Sequence, residues 1–143
     1  MRIPQVLTAT SIVIASAAFA APSPYLIVDH SSPALIDKTE ALLVWKAQVD
    51  DEQRLRVRKL YPVSKWGFIS QVEGGFTSEM ACVVTARAMM VPRVPGDRLV
   101  FKPHKSATTF ASQPSATREQ CRALAAAKLA EAVQAVLSSL IVP

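Results

Sequence analysis

With 143 residues, 19% of them charged and a formal net charge of +5, the chain can build one small domain with its own core. The positive charge is spread along the sequence and only 6% of residues are aromatic. It therefore lacks the basic stripe interleaved with stacking rings that a nucleic-acid binder uses.

The chain starts with Met1-Arg2 and an apolar run from Val6 to Ala20, which ends in the small-x-small cleavage pattern Ala18-Phe19-Ala20. Residues 1–20 therefore read as a secretory signal peptide. The run falls short of the ~20 residues that a membrane span needs, and no cysteine follows the cut as a lipoprotein would require. Cleavage removes one charge, Arg2, and leaves a mildly basic exported chain, periplasmic or extracellular, with no stable span. Two cysteines in such a chain, Cys82 and Cys121, point to one disulfide rather than a metal site.

Residues 21–32 carry Pro22 and Pro24 and a short apolar run, Tyr25 to Val28, and read as an extended leader able to add an edge strand. Residues 33–143 form the single α+β domain. A helix is expected from Ser32 as cap, with Pro33 in the first position and Asp37 and Glu40 early, where the dipole favours them. The stretch 44–60 fits two readings. Alternation through Trp45, Ala47 and Val49 and through Arg54 to Arg58 suits a hairpin turned at Asp50-Asp51-Glu52-Gln53. No Gly or Asn supplies the positive φ of a tight turn, so we favour a helix stopped by Pro62.

Trp66 to Val91 reads as a hairpin folded at Gly74-Gly75, which pairs Glu73 with Phe76, Ile69 with Met80 and Gly67 with Cys82. One face of the second strand is Met80, Cys82, Val84, Ala86, Ala88 and Met90. The other carries Ala81, Val83, Thr85, Arg87, Met89 and Val91. Pro95-Gly96 is a type II turn signal, Arg98 to Lys102 a third strand, and Lys105 to Ala111 a fourth. The last element is the clearest: Thr117 caps a helix, Gln120 completes a capping box, and Leu124, Leu129, Val133, Val136 and Leu140 mark its buried face. The expected fold is α+β: an antiparallel meander of three or four strands, a long C-terminal helix on one face, an N-terminal helical region, and a Cys82–Cys121 disulfide.

No catalytic set emerges. Cys82, His104 and Asp97 could nominally be combined, but spacing alone supports nothing. Cys121 near a helix N-terminus would be reactive if free, which is the basis of a thiol-redox alternative. Asp50-Asp51-Glu52 lacks the alternating ligands and glycine of a calcium loop, and two histidines without an acidic pattern imply no metal. No cofactor is implied. The densest basic run is Arg54, Arg56, Arg58, Lys59 and Lys65, followed by Trp66, and it suits an acidic partner or an anionic envelope component. Trp66-Gly67-Phe68 could floor a ligand groove, and the face with Thr85 and Arg87 is a second candidate surface. The expected function is a small exported non-enzymatic protein binding another envelope component. A secreted inhibitor or effector acting on a foreign enzyme or host protein is the alternative.

Overall fold

In a computed structural model, residues 24–48 and 51–142 are described, so the signal-peptide reading and Asp50 lie outside them. The elements follow as β1 (Leu26–Asp29), α1 (Lys38–Ala47), α2 (Asp51–Leu60), β2 (Trp66–Phe76), β3 (Cys82–Val94), the two-residue β4 (Arg98–Leu99), β5 (Lys105–Gln113) and α3 (Arg118–Ser139). β3 is the middle of the sheet. β2 pairs antiparallel along one edge of it and β5 along another, while β4 pairs with its last two residues, Arg93 and Val94.

The architecture is the expected α+β one, two layers closed by the disulfide. Cys82, Val84, Ala86, Ala88 and Met90 alternate onto one face of β3 and are fully buried. Against them lies α3, which buries Cys121, Ala125, Leu129, Val133 and Val136 at helical spacing. Alanines on both sides let the layers approach closely. The helix begins as its sequence dictates: Gln120 N–H donates to Thr117 Oγ1 at 3.1 Å, and Thr117 N–H donates to Gln120 Oε1 at 2.8 Å. The disulfide joins Cys82 to Cys121 with Cα atoms 5.6 Å apart.

Three expectations need correction. The turn between β2 and β3 is not at Gly74-Gly75. Both glycines remain in the strand, opposite Val84 and Val83, so Phe76 faces Cys82 and Gly67 faces Val91. The reversal occupies residues 77–81, where Ala81 N–H donates to Thr77 Oγ1 at 3.2 Å and Met80 takes the positive φ of 61°. Gly74 is needed for another reason: a Cβ there would lie 1.9 Å from the Val83 carbonyl oxygen. Met80 thus leaves the core face and is 60% exposed.

Second, α1 starts after Asp37, whose Oδ1 accepts from Glu40 N–H at 2.8 Å. Ser32 instead heads a separate turn ahead of α1, its carbonyl oxygen accepting from Leu35 N–H at 3.0 Å and Ile36 N–H at 3.1 Å. Third, Arg98 to Lys102 shrinks to the two residues of β4. Leu99 turns onto the outer sheet face to cover Ile69, Met89 and Val91, while Val100 and Phe101 swing out to solvent. The meander strands pair antiparallel as expected, and the leader adds the edge strand β1, parallel to β2, with Leu26 beside Gly67 and Asp29 beside Ser70, so the sheet is mixed. The stretch 44–60 is helical on both sides of residues 49–50, as favoured, with Trp45 and Val57 buried.

Candidate functional site

The parallel edge strand and the helix pair enclose a half-open groove of about 660 Å³. Trp45 of α1, Val57 of α2 and Phe68 of β2 form its floor, with Ile27 of β1 and Leu137 of α3 at the sides. The floor residues are almost wholly buried, so exposure falls on the rim, where Leu42 is 37% accessible. Trp45 and Phe68 rings pack at 4.9 Å, and Tyr25 meets Phe68 edge-on at 5.0 Å. Over this apolar bed stand three cations, Lys46, Arg54 and Arg58. Among the described residues no acidic side chain lines the groove.

Arg58 is held in place from below. Its guanidinium carbon lies 5.8 Å from the centre of the Tyr25 ring, within cation–π range. The Tyr25 hydroxyl donates to the Tyr61 carbonyl. Burial pushes the Tyr25 phenol up to about 12, with the nearby Arg58 charge pulling the other way. Tyr25 is therefore neutral at physiological pH and serves as a platform.

Two donors beside the groove lack acceptors. Trp45 Nε1 and Arg58 Nε are buried without a hydrogen-bond partner among the described residues, and an unmet buried donor costs about 1–3 kcal/mol. Both belong to lining residues. The lining side chains thus offer donors and positive charge and, apart from the Tyr25 oxygen, no acceptor. This set can hold an acceptor-bearing apolar molecule, and it contains no nucleophile paired with a base.

The structure divides the predicted binding run. Arg54 and Arg58 reach the groove. Arg56 lies on another side of α2, 2.7 Å from Glu52, and Lys59 and Lys65 are exposed. Trp66 stacks instead with Tyr61 at 5.7 Å and His104 at 5.0 Å. Of the Trp66-Gly67-Phe68 triplet only Phe68 lines the groove, because Leu99 and the Leu26 carbonyl fill the space over Gly67. Trp45, Tyr25 and Lys46 were not selected from sequence as binding residues. The helical spacing of Leu42, Trp45 and Lys46 was available as a signal, but nothing in it shows that α1 faces β1.

The nominal catalytic set does not assemble. Cys82 begins β3 and Asp97 lies beyond its far end, about 40 Å of strand away, where Asp97 pairs with Arg93 at 2.5 Å. Cys121 is in the disulfide and buried. Among the described residues no group of three His, Cys, Asp or Glu side chains is placed to hold a metal ion. Nor is any helix among them long and apolar enough to cross a membrane.

No protein family matches the chain, and no curated protein matches it. Among solved structures, it is similar in outline to the PelC dodecamer from Paraburkholderia phytofirmans at 12% identity and a TM-score of 0.42, covering 80% of this chain and 93% of that one. A point variant of that dodecamer gives 12% identity and a TM-score of 0.40, with coverage of 82% and 94%. At that distance the likeness carries no functional argument.

Proposed function

We propose that this is an exported, non-enzymatic protein of the periplasm or extracellular space that binds an anionic envelope component in the groove between β1 and the α1–α2 pair. One observation carries the reading: among the described residues, every charged side chain lining the groove is a cation, above a floor of Trp45, Val57 and Phe68. The disulfide is consistent with an exported protein. Its closure and burial weigh against a thiol-redox role for Cys121. The second reading is a secreted inhibitor or effector. It is favoured by the exposed Phe76 and Met80 at the β2–β3 turn, 41% and 60% accessible.

A photo-crosslinking residue placed at Leu42 on the groove rim, or at Met80 on the turn, separates the two. Capture of an envelope component from Leu42 and none from Met80 is the expected result in whole cells. Capture from Met80 alone, onto a foreign protein, would instead establish the inhibitor reading.

A further inference from the structure

We propose that the groove holds a single alkyl chain ending in a carboxylate, with the chain over Ile27, Val57 and Phe68 and the head group met by Lys46, Arg58 and Trp45. The proposal rests on the groove being the binding surface and names its ligand. A volume of about 660 Å³ falls within the ~300–1,000 Å³ of small-molecule sites. The apolar floor disfavours a bare inorganic anion, whose oxygens would lie unpaired against Phe68 and Val57.

The head group follows from the charges and the unmet donors. Neither Lys46 nor Arg58 is paired with a carboxylate among the described residues, and Arg58 is oriented by the Tyr25 ring. Trp45 Nε1 and Arg58 Nε are donors without acceptors. A carboxylate is an acceptor-only group with two oxygens, so it balances the cations and brings an acceptor beside two residues whose buried donors have none among the described residues. The long chain then replaces water over the apolar bed.

The test is calorimetric titration of the purified protein with straight-chain alkyl carboxylates of increasing length, each below its micelle-forming concentration. Alkyl trimethylammonium ions of the same lengths form the second arm. Carboxylate affinity is expected to tighten about fourfold per added methylene and to level off once the chain outgrows the groove. The ammonium series should bind more weakly at every length. Arg58→Gln should weaken the carboxylate about tenfold, and Lys46→Gln about two- to fivefold, both without changing the dependence on chain length. Lys46 is exposed, so its variant folds even if the Arg58 variant does not.

Equal affinity for both head groups, no dependence on chain length, or wild-type affinity in Lys46→Gln and in a folded Arg58→Gln would each overturn the proposal. Crosslinking from Leu42 with no carboxylate binding rejects this ligand alone. Failure of both experiments rejects the groove as the binding surface.

Discussion

Across the parallel β1–β2 pair the Ser70 hydroxyl donates to the Asp29 carboxylate at 2.7 Å, with Ser70 fully buried and Asp29 7% exposed. Ser31 extends the link, donating its hydroxyl to the same carboxylate oxygen at 2.7 Å while accepting from Val72 N–H at 2.9 Å. These bonds fasten the leader to the sheet, and so build the β1 wall of the groove. Asp29→Ala leaves two hydroxyls without their acceptor and should cost about 2–4 kcal/mol. Asp29→Asn keeps one acceptor oxygen and should cost roughly half as much. Urea midpoints measure both, and a loss under ~0.5 kcal/mol for the alanine variant would show that backbone pairing and packing hold the leader without the carboxylate.

The Tyr25 phenol gives the fold an alkaline limit. Its pKa is raised from 10.0 to about 12 by burial, against the opposing Arg58 charge. Between those values the folded state holds a proton that the unfolded chain has lost, so stability falls as pH rises. The contribution is fully present below about pH 10 and is lost as pH passes through about 12. In a spectrophotometric titration one of the two tyrosines should ionise late. Tyr25→Phe should remove this part of the alkaline loss, while sacrificing the bond to Tyr61 at about 1 kcal/mol near neutrality.

The β2–β3 turn offers a paired prediction. Met80 adopts a φ of 61° and is mostly solvent-exposed, so Met80→Gly relieves backbone strain with little packing lost. It should raise stability by up to ~1 kcal/mol. Gly74→Ala, by contrast, adds a methyl 1.9 Å from the Val83 carbonyl at a φ of 136°. The conformation alone costs about 1–3 kcal/mol, and strand displacement adds to it. Thermal melts of the two variants should therefore move in opposite directions. A stable Gly74→Ala would show that Gly74 is not held in this close crossing with Val83.

The turn shows where sequence reading succeeds and where it stops. Period-two alternation placed Cys82, Val84, Ala86, Ala88 and Met90 on the covered face, and the capping box located the start of α3, because both are local rules of a single element. The hairpin register was not local. Gly-Gly resembles a two-residue turn, but these glycines answer to a carbonyl crossing close by, and Thr77 closes the reversal with its side chain. The leader is legible as an edge strand, but its parallel pairing with β2 is hidden, since the partner lies some forty residues away and the Asp29–Ser70 bond has no sequence signature. The groove suffers from the same limit. Arg54 and Arg58 were legible as a basic run, but Trp45 and Tyr25 join them only when α1 folds beside β1.

The Cys82–Cys121 bridge ties the first residue of β3 to the first turn of α3, across a sequence separation of 39. Chain entropy gives such a closure about 4 kcal/mol, a large share of the ~5–15 kcal/mol that holds a typical domain. The bridge acts on the unfolded state more than on the packing, because Cys121 and Cys82 are buried in a core whose apolar contacts are continuous on both sides. The Cys82→Ala/Cys121→Ala double variant should therefore keep its native circular dichroism while losing about 3–4 kcal/mol in denaturant. Mild reduction without denaturant should leave the bond intact, since both sulfurs belong to residues at most 1% exposed. Alkylation followed by mass measurement reads that directly. Two labelled cysteines in the untreated folded protein would reopen a redox role for Cys121 at its position in the first turn of α3, where a free thiolate would be favoured.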